Sequence, residues 1–516
     1  MPQIKLLKCF RKALYKLFPK RKDAIMNLLD AIASYGHQSK SVVQLSKSPL
    51  FERKYSSITD ATSDGLPHAN WCEIEKLVYL MTHREEERNV FLLDCTPNAR
   101  PFARKLEDRS IIHAPNPAPG NKPICVGHQY SVLAMLPNNE LSREKHWVVP
   151  MSAKRVKSNE KGNEVGMLQA KECINNFDLC DKLSITVGDS LYGTENCRKT
   201  ACEIDRHIHL FRLNSKRNLY FQPKQTTERR KGRKKQYGEK MTLNDTSNHR
   251  ESDIQTETKW TSRKNKEYTV KICCWKNMLI RGSRQFSSSQ HPINLIKICL
   301  EDKEGNPLYK RPLWLAIFGK LRDEISLIEC YEYYSSRYDI EHFFRFGKQK
   351  LLLDSYQTSD VEHEEFWWRF CMLAYVQLYF GKTLATLLPE EWERYLPEYK
   401  SSTKVDGKIT SPSQTQRGFD KVLEQIGTPA APCVARGNPR GRMVGEIIQK
   451  RDSHKIIFKA KKDSQKQAKA IISESEQPAK ISNHLKIAGF VKSISLSKIS
   501  FNISVTEITK SFENTA

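Results

Sequence analysis

The most informative segment of the chain runs from Tyr334 to Lys348 and reads YSSRYDIEHFFRFGK. It places Tyr334, Arg337, Glu341 and Lys348 at offsets of 0, 3, 7 and 14 residues. On a helix that turns by about 100° per residue, these offsets keep all four side chains on one face. A carboxylate there can hold a divalent metal ion, while the phenol, guanidinium and ammonium groups bind phosphate oxygens. The stretch therefore predicts a helix with a metal- and phosphate-binding face.

The alternative for this stretch is an amphipathic helix whose charged face is simply solvated. For any one of its charged residues taken alone, solvation is the better explanation. Four residue types at fixed spacing seldom arise by chance, so the pattern as a whole favours a functional face.

The composition indicates the kind of partner. The chain has 516 residues, of which 39% are hydrophobic, so it can form more than one domain. It carries 85 Lys and Arg against 59 Asp and Glu, a formal net charge of +26. This balance favours a polyanion, above all nucleic acid. The 14 cysteines include no Cys-x2-Cys pair, as expected for reduced thiols in a cytosol.

Two further acids follow short apolar runs. The apolar run 89–93 is followed directly by Asp94, and the run 183–188 is followed directly by Asp189. Each run predicts a buried strand with an acid at its C-terminal end. A lone Asp in this position is most often a turn former or a helix cap. Two-metal phosphoryl transfer, however, needs carboxylates that converge from different elements. We therefore predict that Asp94, Asp189 and Glu341 form a catalytic triad that binds Mg²⁺, for which Mn²⁺ should substitute.

The motif Tyr-x2-Arg-x3-Glu-x6-Lys resembles the signature of the insertion-sequence DDE transposases, a large bacterial cut-and-paste group. The block DCTPNARP that starts at Asp94 is similar to the first aspartate block of that family, and GDSLYG around Asp189 is similar to the second. The resemblance extends over roughly residues 10 to 450 and is strongest between Tyr334 and Lys348.

The resemblance implies an α/β fold with an RNase H-like catalytic core, interrupted by a β-rich insertion and preceded by a helical N-terminal domain. The expected organisation has five parts. These are a basic helical DNA-binding domain (1–85), the first part of the core (86–204), the β-rich insertion (205–320), the second part of the core with the catalytic helix (321–400), and a basic, flexible tail (401–516).

The resemblance also implies roles and partners. Asp94 would bridge two metal ions, Arg337 and Lys348 would hold phosphates, and Tyr334 would donate a further hydrogen bond. The partner would be double-stranded DNA, both transposon ends and target, bound by a homodimer in the bacterial cytoplasm at the nucleoid. The family further suggests a hairpin intermediate. A basic run in the insertion is either a solvated loop or a further phosphate contact; its candidate DNA-binding residues are Arg230, Arg233 and Lys234.

Two other functional classes stay open. A structure-specific nuclease could use the same triad without strand transfer, and an inactive transposase derivative could bind DNA without chemistry. The terminal repeat and the target preference are not encoded in any pattern we recognise.

Several local features have competing interpretations. The basic N-terminus predicts a DNA-binding helix in preference to a transit peptide. The spacing of Cys197 and Cys202 with the histidines at 207 and 209 is not that of a standard zinc finger, so buried thiols are favoured. His128 is either a base near the triad or a structural histidine. Trp367 and Trp368 favour core packing over base stacking, within an apolar stretch too short to span a membrane.

Overall fold

The computed structural model describes residues 2–114, 123–223, 235–261, 266–386 and 408–434, and short pieces between residues 441 and 458. Within these residues the protein is a mixed α/β fold with one large sheet and one hydrophobic core. Arg230, Arg233 and Lys234 lie outside the described residues.

Helices form the N-terminal part of the chain. The longer ones are α1 (Pro2–Lys16), α2 (Lys22–Tyr35), α3 (Ser56–Asp60) and α4 (Trp71–His83). The apolar face of α1, which includes Phe10 and Leu14, is fully buried. Arg11 on the same helix forms a buried ion pair with Asp30 of α2. The N-terminal helices thus share the common core.

The strands begin with the segment that carries Asp94. They are β1 (Arg88–Ala99), β2 (Ser110–His113), β3 (Ile124–Met135), β4 (Val149–Val156), β5 (Leu183–Gly188), β6 (His207–Arg212), β7 (Asn218–Tyr220), β8 (Lys240–Thr242), β9 (Ile254–Thr261), β10 (Glu267–Met278), β11 (Ile293–Glu301) and β12 (Leu313–Phe318).

Ten of these strands form a single sheet in the order β2-β3-β1-β5-β6-β12-β11-β10-β9, with β4 also paired to β3. Strand β1 is parallel to β5, and β5 is parallel to β6, whereas β3 is antiparallel to β1. This mixed sheet is consistent with the RNase H-like fold of DDE enzymes. The strands of the expected insertion extend the same sheet, because β6, which lies within residues 205–320, pairs with β5. The boundaries of the expected domains stay predictions.

The remaining helices flank or follow the sheet strands. They are α5 (Glu140–Glu144), α6 (Gly162–Asn176), α7 (Glu195–Cys202), α8 (Leu327–Ser336), α9 (Tyr338–Lys350), α10 (Val361–Gly381), α11 (Pro412–Arg417) and α12 (Phe419–Ile426).

Helix α10 is the centre of the core. It packs against β4, α1 and α2. Trp367, Trp368 and Phe370 are fully buried, which confirms core packing in preference to base stacking. In the part of the chain that the structure describes, no helix is long and apolar enough to cross a membrane.

The prediction of a flexible tail from residue 401 is wrong for the segment that contains α11 and α12. A capping box between Ser411 and Gln414 starts α11. Phe419 on α12 is fully buried and packs closely on Gly381 of α10, where a Cβ would lie 2.4 Å from the Phe419 ring. The Ser- and Thr-rich composition hid this contact, because few apolar residues suffice to dock so short a helix. The tail after residue 458 lies outside the described residues.

Candidate active site

Asp94 and Asp189 lie on adjacent parallel strands. In the register of β1 and β5, Leu92 is opposite Val187. Asp94 comes two residues after Leu92, and Asp189 comes two residues after Val187. The two acids therefore lie at the same level along their strands. The prediction that Asp94 ends its strand is wrong, however. β1 continues to Ala99, because residues 94–99 pair with the antiparallel neighbour β3 after the parallel pairing with β5 has stopped.

A tight turn after β5 positions Asp189. Its Oδ1 accepts a hydrogen bond of 2.8 Å from the backbone N–H of Leu191, so Asp189 caps the short helical turn that follows. The Tyr192 ring folds back under this turn. A Cβ on Gly188 would lie only 2.6 Å from that ring, which explains why glycine precedes the acid. The aromatic residue three positions after Asp189 is therefore part of the support for its backbone.

Glu341 reaches the site from the first turn of α9. The sequence predicts one continuous helix through Tyr334 and Lys348, but the structure has two helices, with Arg337 between them. Arg337 keeps right-handed helical backbone angles, and its N–H still bonds to the carbonyl of Tyr333 at 3.1 Å. Because the direction of the chain is nearly preserved, Arg337 and Glu341 still share one face.

Arg337 links two acids of the predicted triad. Its Nη1 donates to Asp94 Oδ2 at 3.0 Å, and its Nη2 donates to Glu341 Oε1 at 3.0 Å. The Arg337 side chain is 15% exposed, so these ion pairs are poorly screened. Glu341 is therefore held beside Asp94 by the guanidinium. The sequence predicted a phosphate contact for Arg337, and the carboxylate bridge was not foreseen.

The site favours cations. Burial raises the pKa of Asp94 to about 6, the Arg337 guanidinium opposes that rise, and the carboxylates of Asp189 and Glu341 add to it. Three carboxylates, with no sulfur or imidazole among them, form a donor set whose chemistry fits a hard divalent ion. The residues present therefore fit Mg²⁺ or Mn²⁺.

Lys348 and Tyr334 lie on either side of this centre. The Lys348 ammonium donates to the carbonyl of Pro97 on β1 at 2.5 Å, three residues after Asp94. Burial lowers the pKa of Lys348, although Asp354 opposes that effect. The Arg337 guanidinium lies 5.9 Å from the centre of the Tyr334 ring, a cation–π distance. Both side chains thus support α9 and its arginine from within the protein.

A buried network behind β1 was missed by sequence reasoning. Glu364 on α10 is fully buried and accepts hydrogen bonds from Arg100 at 2.8 Å and Tyr130 at 2.8 Å. His128 Nδ1 lies 2.6 Å from Glu364, and its Nε2 lies 2.8 Å from the carbonyl of Glu107. His128 is therefore a structural histidine, not a base near the triad. Arg100 lay in the first aspartate block, but no signal in the sequence marked Glu364.

The residues of the weak zinc candidate do not converge. Cys197 Sγ lies 3.1 Å from the Thr194 hydroxyl, whereas Cys202 is exposed and lies 3.7 Å from His291. His207 and His209 both contact the Thr186 hydroxyl. Buried polar contacts account for the two histidines. Cys197 is a buried thiol, as expected, whereas Cys202 is not.

The chain matches a family model described as DDE superfamily endonuclease over residues 13–279, just over half of its length. The matched region includes Asp94 and Asp189 and ends before Glu341. The chain therefore belongs to the DDE superfamily endonucleases. These are divalent-metal-dependent enzymes that act on DNA as transposases or nucleases. No curated protein matches the chain in a sequence search.

Proposed function

We propose that the chain is a DNA transposase that binds the terminal inverted repeats of its own element, cleaves them and transfers the 3′ ends to target DNA. The observation that carries this proposal is the Arg337 bridge between Asp94 and Glu341, with Asp189 in register beside Asp94. The resemblance of the Tyr-Arg-Glu-Lys motif to insertion-sequence transposases supports transposition in particular.

In this proposal Asp94, Asp189 and Glu341 would together hold Mg²⁺. When bound, divalent ions stabilise the charge that develops on the attacking and leaving oxygens of a phosphodiester. Arg337 holds the carboxylates of Asp94 and Glu341 in place. Lys348 fastens α9 to β1 through Pro97 and so sets the distance between Glu341 and Asp94.

DNA would be bound by N–H donors of Arg337 that its ion pairs with Asp94 and Glu341 do not use. A guanidinium has five N–H donors, and the two carboxylates use two of those of Arg337. The remaining N–H groups of Arg337 can bind a phosphate beside the scissile bond. Phosphate binding is the role that the sequence predicted for Arg337, Lys348 and Tyr334. The basic run with Arg230, Arg233 and Lys234 would add backbone contacts. Two copies would pair the two ends, at the bacterial nucleoid.

The experiment that tests the proposal supplies end DNA already cut to expose its 3′-hydroxyl, a supercoiled target plasmid and Mg²⁺. The end sequence comes from inverted repeats in the DNA that flanks the gene. A transposase yields plasmids joined to end DNA, and the Asp189→Asn variant, as control, yields none. Cleavage of uncut ends without any joining would identify a nuclease. Binding without cleavage or joining would identify an inactive derivative.

A further inference from the structure

A second cluster of metal-binding side chains lies next to the triad but does not belong to it. His146, Asp339 and His342 offer ligand atoms that all lie within 4.8 Å of one another. It is the one such group of three or more His, Cys, Asp or Glu found among the residues that the structure describes. Asp339 and His342 flank Glu341 on the first turn of α9, so the cluster shares a helix with the candidate catalytic glutamate.

The fold brings the three residues together across nearly 200 positions. Asp339 and His342 are three positions apart on α9 and so lie on one side of that helix. His146 belongs to the connection between α5 and β4. His146 Nδ1 lies 2.5 Å from Asp339 Oδ1. The two imidazole rings are stacked, with centroids 4.4 Å apart.

The connection that carries His146 is held firmly. His146 has a positive φ of 58°, which few residues other than glycine adopt and which histidine tolerates better than most. The next residue, Trp147, is fully buried, and its indole N–H donates to the carbonyl of Thr410 at 2.7 Å. The unusual backbone angle is therefore maintained by the core, and it turns the imidazole towards α9.

The chemistry of this donor set differs from that of the triad. Two imidazoles and one carboxylate are the ligands of many Zn²⁺ sites, whereas three carboxylates suit Mg²⁺. Ligands of one tetrahedral zinc ion lie about 3.4 Å apart, given metal–ligand bonds of about 2.1 Å. All three ligand atoms of the cluster lie within 4.8 Å of one another, and the imidazoles of His146 and His342 are half-buried. Asp339 is buried, so its carboxylate is fixed.

We propose that His146, Asp339 and His342 form a binding site for a transition-metal ion of the Zn²⁺ type, distinct from the triad. The bound ion joins the first turn of α9 to the connection before β4. Because Glu341 lies between two of the ligands, the ion restrains the backbone of that residue. The three ligands are thus positioning residues for Glu341. The binding site itself does not depend on the proposed transposase function.

The test measures Zn²⁺ binding to the full chain without DNA. Millimolar Mg²⁺ is present throughout to occupy sites made of oxygen ligands alone. Calorimetric titration should show one Zn²⁺ site per wild-type chain. His146→Ala and His342→Gln should each weaken it by about 100-fold or more, since even outer-shell changes cost 10- to 100-fold. The control is His363→Gln, which changes a half-buried histidine outside the cluster. Circular dichroism checks that each variant is folded.

A spectroscopic readout separates coordination from general stabilisation. Co²⁺ in place of Zn²⁺ should give visible absorption bands in the wild type that disappear in the His146→Ala/His342→Gln double variant. Hydrogen exchange of the first turn of α9 should slow when Zn²⁺ is added to the wild type only. Equal Zn²⁺ affinity of wild type and double variant in excess Mg²⁺ would overturn the proposal, and so would the absence of any Zn²⁺ binding to folded wild type.

Discussion

Arg337 and Asp94 are separated by 243 residues in the chain, yet the arginine Nη1 lies 3.0 Å from the aspartate Oδ2. The same guanidinium reaches Glu341, four residues further along the helix, with its other terminal nitrogen. An arginine at this position therefore connects β1 of the sheet to helix α9. Lysine could not do so equally well, because a single ammonium lacks the fork that serves two carboxylates at once.

The first prediction concerns this fork. Arg337→Lys should keep end binding close to that of the wild type and should lower the cleavage rate by about 100-fold, the usual cost of one charged contact at a reacting centre. Arg337→Ala should be worse still. The measurements are single-turnover strand cleavage at saturating Mg²⁺ and end affinity by gel shift. Arg345→Ala, which changes an exposed arginine on the same helix, is the matched control. Near wild-type cleavage by Arg337→Lys would argue against the bridge.

The second prediction tests the triad itself. Asp94→Asn, Asp189→Asn and Glu341→Gln should each abolish cleavage in both Mg²⁺ and Mn²⁺, because a neutral amide is a poor ligand for these ions. End binding should persist, since phosphate contacts account for most of the affinity for DNA. Cleavage and gel-shift assays on the same samples separate the two effects. An active Glu341→Gln variant would remove that residue from the site.

The third prediction concerns the turn that carries Asp189. Gly188→Ala should destabilise the protein by about 1–3 kcal/mol, because the new methyl group would lie 2.6 Å from the Tyr192 ring. It should also displace Asp189 and lower cleavage. Thermal unfolding gives the stability, and adding Tyr192→Leu to Gly188→Ala should recover part of it. If Gly188→Ala alone unfolds like the wild type, the close approach is not a constraint.

The fourth prediction is a pH dependence that does not involve the triad. Burial raises the pKa of Glu75 on α4 to about 7, while Arg369 and Lys154 oppose that rise. One Glu75 carboxylate oxygen is buried without a hydrogen-bond partner. The folded state therefore binds this proton more tightly than the unfolded state, so the contribution of Glu75 to stability falls as the pH rises from about 4.5 to about 7.

Glu75→Gln should remove that dependence. Relative to wild type, the variant should gain stability steadily between pH 5 and pH 8, by on the order of 1 kcal/mol or more at the upper end. Urea denaturation at several pH values measures the difference. Glu85→Gln, which changes an exposed glutamate just after the same helix, should show no such trend. A constant difference between Glu75→Gln and wild type across this range would contradict the prediction.

The fifth prediction rests on sequence alone, because the basic run lies outside the described residues. The logarithm of the DNA affinity should fall linearly with the logarithm of salt concentration, at about −0.9 per phosphate contact. Replacing Arg230, Arg233 and Lys234 with alanine should flatten that slope by up to about 2.7, for three lost contacts. Arg230→Lys/Arg233→Lys keeps the charges and should keep the slope. If the alanine variant also keeps it, the run is only solvated.

The local sequence pattern predicted the strands and the helix that carry the three acids. It did not predict the contacts that surround them. The apolar runs before Asp94 and Asp189 predicted strands, because buried parallel strands need continuous apolar residues. The length of β1 was missed, since its second half is held by pairing with β3, which is distant in sequence. The catalytic roles of Asp94, Asp189 and Glu341 stay predictions.

Partnerships between distant side chains escaped the sequence altogether. Glu364 looks like an ordinary surface glutamate of an amphipathic helix until Arg100 and His128 are seen beside it. Likewise nothing in the local pattern pairs His146 with Asp339. Such contacts depend on how the sheet and helices pack, and a single sequence carries no direct record of that packing.

The separation of Asp94 and Glu341 along the chain has a consequence for biosynthesis. A ribosome adds about 5–20 residues per second, so the 247 residues between them take roughly 12–50 s to make. During that interval the nascent chain carries Asp94, and after a further 95 residues also Asp189, without the glutamate. Helix α12, which packs on α10, emerges later still. If these acids are the catalytic ones, a ribosome that stalls anywhere before Glu341 leaves only a fragment that cannot cut the genome.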